Sequence, residues 1–290
     1  MTVYEDAAKQ FDKQMVPPFR QRIMGRRLFA KTTVLESGET ELNYDKITEM
    51  GPAGISFGLK PKTIPADNIK VAASTLKVPT LAQKFTVPRR TIDAYAAKGK
   101  DFESAARDSA YHTLAKLEDD LLIRYWAQDG VTADINGLYE SAGNTEGTSS
   151  VTSTYGNMII KLNLAMTVLE TDSAADWSFN LTLAPGNFHE VVNSFSTTGV
   201  SEYDAVLKIL NAGGTGQAAI LKSADITANT GMLTPVDPNG ECIDLVIARD
   251  VQTVPRNPEY NGVDDPEFLV FEEIVPRIKQ TDSICTLTGL

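Results

Sequence analysis

A chain of 290 residues, 42% of them hydrophobic, has apolar material for one large folded domain or two modest ones. A net charge of −11 argues against a protein that grips nucleic acid over its whole surface, and no stretch approaches the roughly 18 uninterrupted apolar residues of a membrane span. The N-terminus, MTVYEDAAKQ, lacks the apolar core of a signal peptide, so the composition predicts a folded protein made and kept in the cytoplasm.

The charge is unevenly spread. Residues 1–31 carry Lys9, Lys13, Arg20, Arg22, Arg26, Arg27 and Lys31 against Glu5, Asp6 and Asp12, a net +4 that leaves −15 for the rest. A basic arm on an acidic body faces an anionic lumen, a neighbouring subunit or plain solvent. Along 3–15, Tyr4, Ala7, Ala8, Phe11 and Met15 share one side of a helix, which Pro17-Pro18 stops. The segment FRQRIMGRRLF (19–29) follows, and β-prone pieces begin at Lys31.

Between 36 and 80, Gly38, Gly51-Pro52, Gly54, Gly58, Pro61, Pro65 and Pro79 break the chain into short extended pieces. Paired strands with no face to bury are only marginally stable, so this excursion reads as a hairpin that finds its partners elsewhere. A strand returns over 76–90, and a short helix over 92–97 ends near Gly99.

The stretch 101–130, DFESAARDSAYHTLAKLEDDLLIRYWAQDG, is the spine of the chain. Phe102, Ala106, Ala110, Leu114, Leu117, Leu121 and Tyr125 recur four apart, once three, which keeps one face of a helix dry. Asp101 is placed to cap it and Asp129-Gly130 to stop it, so the spacing predicts a helix over 102–127, about 39 Å long. The Gly/Ser/Thr-rich passage 136–156 is too polar and small to be core.

A second amphipathic helix is predicted over 157–170, then the alternating strand FNLTL with Phe179, Leu181 and Leu183 on one side. Helices over 188–195 and 202–210 complete an α/β segment. After Met232 the pattern is β: a turn at Asp237-Pro238-Asn239-Gly240, strands over 243–248 and 251–254, and a final alternating run over 268–288. That run is expected to close the fold as a terminal strand pair beside the spine.

Chemistry is sparse. Cys242 and Cys285 sit in apolar, strand-like surroundings and read as buried thiols, and His112 and His189 have no partner pattern. Asn211–Gly216 lacks the lysine and hydroxyl of a phosphate cradle. No catalytic, cofactor or metal site is expected. Glu118, Asp119 and Asp120 occupy consecutive helix positions, point in different directions, and are expected to form a solvated or subunit-facing edge. Arg26, Arg27, Arg89 and Arg90 carry the flat fork that suits carboxylates of the same or an adjacent subunit.

In order, GRRLF (25–29), KFTVPRR (84–90), AKLEDDLLI (115–123), NGL (136–138), DLVIARD (244–250) and FLVFEEIVPRIK (268–279) resemble the encapsulins and the tailed-virus major capsid proteins, which share the Hong Kong 97 fold. The likeness covers nearly the whole chain. It implies an α+β fold with an N-arm (1–35), an extended E-loop lying over the next subunit (36–80), a peripheral domain around the spine helix (81–135 and 246–290), and an axial domain (136–245).

The implied partners are many copies of itself, as pentamers and hexamers of an icosahedral shell. Arg26, Arg27, Lys60, Lys62, Arg89, Arg90, Glu118, Asp119 and Asp120 are the candidate inter-subunit contacts. The leading expectation is a virus major capsid protein enclosing double-stranded DNA, with separate scaffold, portal and decoration proteins and no membrane. It leads because Pro17-Pro18 breaks a segment that encapsulins keep helical and because the E-loop looks longer than theirs. The alternative is a cytoplasmic encapsulin nanocompartment around a cargo enzyme. A third reading, from another class, is a small-oligomer α/β enzyme or binding protein with its pocket in 136–245. Some capsids of the fold crosslink an E-loop lysine to an asparagine; Lys60, Lys62 and Lys70 lie in that region, but no crosslink is expected.

Overall fold

The structure, a computed structural model, describes residues 24–36, 39–47, 71–97, 102–127, 134–147, 155–173, 177–214, 216–256 and 265–290. The described chain opens on a 3-10 turn, Gly25–Leu28, and continues through β1 (Thr32–Val34), β2 (Glu41–Ile47), β3 (Val71–Lys77), β4 (Thr80–Thr86), α1 (Arg89–Ala96) and α2 (Phe102–Ile123). Then come β5 (Tyr125–Trp126), β6 (Ile135–Asn136), β7 (Asn144–Glu146), α3 (Asn157–Ser173), β8 (Phe179–Leu183), α4 (Pro185–Asn193) and α5 (Glu202–Leu210). The last third holds β9 (Ile220–Lys222), β10 (Thr230–Pro235), β11 (Ile243–Pro255), β12 (Glu267–Ile278) and β13 (Cys285–Thr288).

Two sheets organise these strands. One runs β1-β11-β12-β4, with β1 parallel to β11 and the other neighbours antiparallel. The second runs β7-β13-β10-β8-β9, parallel at both edges and antiparallel between. β2 and β3 form an antiparallel two-stranded hairpin, and its strand β3 is mostly exposed.

Each sheet has its own core. α2 lies on the first sheet against β4 and β12, and Leu28, Leu114, Leu121, Leu122, Leu245, Val270 and Ile274 close around it. α3 buries Met158, Leu162, Ala165, Met166 and Leu169, a helical stripe, against Phe179, Leu181, Leu183, Leu233 and Leu287 of the second sheet. The Glu202 carboxylate of α5 accepts the N–H groups of Gly156 and Met158, each at 3.1 Å, and so caps the start of α3.

The crossing between sheets is fixed by the predicted turn. Gly240 sits at φ +73, and the Asp237 carboxylate accepts N–H groups from Gly240 (2.7 Å), Cys242 (2.6 Å) and Ile243 (3.2 Å), turning β10 into β11. Both cysteines are buried free thiols, and burial pushes each up to about 11.

Several local expectations are corrected. The spine helix stops at Ile123, not 127, and is 22 residues or about 33 Å long. The returning chain ends it: the N–H groups of Gly137, Leu138 and Tyr139 donate to the carbonyls of Arg124, Leu122 and Ile123 at 2.6, 3.0 and 2.8 Å. The polar passage 136–156 thus contributes a buried Leu138 and the sheet strand β7. β8 is buried on both faces because it is interior to its sheet and covered by helices. The strands expected over 243–248 and 251–254 are one strand with register irregularities near Ile247 to Gln252. The last run is no strand pair beside the spine, since β13 crosses to the second sheet and pairs with β10 and β7.

Gly137 is required by this close approach. A Cβ there would lie 2.6 Å from the carbonyl oxygens of both Arg124 and Leu121, backbone that cannot step aside. Gly137→Ala is expected to lower unfolding stability by about 1–3 kcal/mol in denaturant titration; a neutral variant would contradict the packing described.

Candidate functional site

Most of the described candidate residues gather where the N-terminal turn meets the C-terminal part of α2. Around the C-terminal half of α2, six successive residues from Glu118 to Ile123 are at least half-buried, so the helix is wrapped rather than dry on one face. Leu121, Leu122 and Ile123 meet apolar neighbours. Glu118 and Asp119, 3% and 2% exposed, meet the turn at 25–28. The expected solvated edge is therefore an internal joint, because the N-terminal segment covers it.

Glu118 points away from the other two, whereas Asp119 and Asp120 both face Asp225. Glu118 accepts from Arg26 Nε, and the same guanidinium donates through Nη2 to Glu272 Oε2 of β12 at 2.9 Å and reaches exposed Asp250 at 3.4 Å. Asp119 accepts the N–H of Met24 at 2.9 Å and that of Gly25. Asp120 lies on the side of Asp225, which follows β9. Gly25 admits this grip, since a Cβ there would stand 2.7 Å from Asp119 Oδ1.

Electrostatics follow from one cation facing two buried acids. Burial works against the Arg26 charge, but Glu118, Glu272 and Asp250 outweigh it and hold the guanidinium above its ordinary value. Burial raises Glu118 despite Arg26, and burial with the nearby Glu118 charge pushes Glu272 up to about 7. Glu272 is fully buried and its Oε1 has no hydrogen-bond partner. An unpartnered oxygen costs less on a neutral carboxyl than on a carboxylate, so of the two glutamates Glu272 holds the proton more readily.

The other candidates lie apart. Arg27 is exposed, with its guanidinium against Met24 Sδ at 3.8 Å. Arg89 uses its backbone N–H on Asp265 (2.8 Å) and sets its side chain 3.9 Å from Asp93, while Arg90 is exposed. Lys60, Lys62 and Lys70 lie outside the described residues, as do Pro17 and Pro18. Among the described residues no His, Cys, Asp and Glu group is placed to hold a metal ion, and no helix is long and apolar enough to cross a membrane.

A second ionic joint has no local mark in the sequence. Arg277 of β12 forks onto Asp244 of β11, with Nε at 2.7 Å, and Thr33 Oγ1 donates to the same carboxylate at 2.7 Å. The Arg277 guanidinium also sits 5.5 Å from the centroid of Tyr44, tying the β2–β3 hairpin to the first sheet. Glu272 itself was legible: it takes the inward place between Val270 and Ile274 in an alternating strand, where a charge demands a partner.

Two sheets, each with its own core, the first packed on a wrapped spine helix, and a hairpin at the side make up a capsid-like shell subunit of the Hong Kong 97 fold. The capsid of Myoviridae phage XM1 is similar at TM-score 0.78 and 10% identity, over 100% of this chain and 99% of that one. A virus-like particle from Pyrococcus furiosus is similar at TM-score 0.62 and 20% identity, over 90% of each chain. The chain belongs to the family described as the encapsulating protein for peroxidase, whose model matches residues 2–259. The type 1 encapsulin shell protein EncA of Myxococcus xanthus (strain DK1622) is 22% identical over 288 residues, 98% of this chain and 93% of that protein.

Removing Arg26 leaves Glu118 and Glu272 facing each other without a cation. Arg26→Met is expected to cost about 3–5 kcal/mol in denaturant unfolding at pH 8, and less at pH 5.5, where the proton on Glu272 removes one of the two charges. An equal loss at both pH values would contradict the assignment.

Proposed function

We propose that this protein is the shell subunit of an encapsulin nanocompartment, assembled in the cytoplasm around a cargo enzyme. The observation that carries the reading is the family match over residues 2–259, supported by likeness to an encapsulin shell protein over 98% of the chain. The reading that led at the sequence level, a tailed-virus capsid around DNA, has less behind it: likeness to the phage capsid at 10% identity speaks for the fold alone. Membership of a family of structural shell proteins also weighs against the small-oligomer enzyme, although a cleft of about 620 Å3 does lie beside α4, α5 and β9.

In this reading residues 1–35 are the N-arm and 36–80 the E-loop, whose exposed β3 rests on a neighbouring copy. Residues 81–135 and 246–284 form the peripheral unit on the spine helix, and 136–245 the axial unit, with β13 counted there because it pairs there. Copies gather as pentamers and hexamers. Exposed Arg27 and Arg90, with Lys60 and Lys62 of the loop, face neighbours, whereas Arg26, Glu118 and Asp119 serve the subunit itself.

Purified particles test this. Size-exclusion chromatography and electron microscopy are expected to show closed shells of megadalton size, with a co-purifying enzyme by mass spectrometry and no absorbance excess from nucleic acid. Shells filled with double-stranded DNA would restore the viral reading, and a small oligomer would overturn both.

A further inference from the structure

The described chain begins with the turn at 25–28, and carboxyl groups grip that turn from both flanks. On one flank, buried Asp119 accepts the N–H groups of Met24 and Gly25 and has the Asp225 carboxyl beside it. A buried carboxyl with a second acid beside it takes up a proton more readily than a solvated one. Asp225 is oriented in turn by Ser223, whose hydroxyl stands 3.2 Å away and accepts the Asp225 N–H at 3.1 Å. On the other flank, Arg26 gathers Glu118, Glu272 and Asp250, and the buried Oε1 of Glu272 has no partner.

The charges facing the turn are therefore lopsided. From α2 come Glu118, Asp119 and Asp120, with Lys116 and Arg124 acting on Asp120. From β12 comes Glu272, from β11 Asp250, and from the segment after β9 Asp225. Within the turn Arg26 is engaged by three acids, and Arg27 points to Met24 and solvent. Arg249 of β11 is turned to Glu273 at 3.9 Å.

We propose that these groups form a proton-controlled latch, which ties the turn at 25–28 to the spine helix while their protons are present and loosens it when they leave. Burial is the first cause that pushes both Asp119 and Glu272 up to about 7. A carboxyl raised in the folded state contributes stability that is complete below its ordinary value near 4 and is lost as pH rises through about 7. The latch is closed in mild acid and weak in mild base, and it works alike whatever the shell encloses.

Hydrogen exchange on the assembled particle tests it, with rates corrected for the intrinsic effect of pH. Between pH 6 and pH 8.5 the protection of the Met24 and Gly25 amides is expected to fall at least about tenfold, the change that one unit of pKa produces. The amides of α3 are expected to stay level. In Asp225→Asn a neutral amide that can donate replaces the second acid beside Asp119, and the fall is expected to shrink to about threefold or less. Glu272→Gln, which keeps an acceptor for Arg26 and cannot titrate, is expected to reduce the fall independently. Unchanged protection in the natural protein, an equal fall in α3, or a full fall in both variants would overturn the latch.

Discussion

One guanidinium, that of Arg26, sits where the N-terminal turn, the spine helix and two strands of the first sheet converge, and the arrangement of these parts depends on it. Glu118 and Glu272 are both buried, and Arg26 lies between them as the cation that faces both. The arginine's planar fork reaches two elements at once, which a lysine's single point of charge does poorly. Covering α2 in this way leaves no exposed residue from Glu118 to Ile123, so the end of the helix behaves as an internal strut instead of a surface rib.

Directional polar joints recur elsewhere in the fold. Asp237 collects three N–H groups at the passage from the second sheet to the first. Asp244 and Arg277 hold β11, β12 and, through Thr33, the segment of β1. In the second core Lys161 of α3 is buried with its ammonium on the Thr288 carbonyl of β13, burial lowering it while the Glu146 charge supports it. Apolar packing alone is non-directional; these polar joints set the angles at which layers meet. For a subunit repeated many times in a closed shell, a fixed internal geometry is what keeps every copy's contacts equivalent.

Much of this was legible in the sequence, and the gaps have physical causes. The four-residue spacing from Ala106 to Leu121 announced the spine, and Asp237-Pro238-Asn239-Gly240 announced its turn, because both signals are local. The end of α2 was misread: Asp129-Gly130 is a reasonable stop, but the helix is cut at Ile123 by carbonyl bonds to Gly137, Leu138 and Tyr139, partners supplied from beyond the helix. β8 showed an alternating face yet is buried on both sides, since the helices that cover its polar-looking face lie elsewhere in the chain. The acidic run looked like a solvated edge for the same reason. Consecutive carboxyls carry no mark of which neighbour will cover them, and only Glu272, at an inward place in its strand, gave a sign that a buried cation was needed.

Arg26 and Glu118 act as a unit, and a double-mutant cycle measures that directly. Unfolding free energies of the natural protein, Arg26→Met, Glu118→Met and the double variant are expected to be non-additive by about 1–3 kcal/mol, the double variant being more stable than the two single losses imply. Losses that simply add would contradict the central role given to this pair.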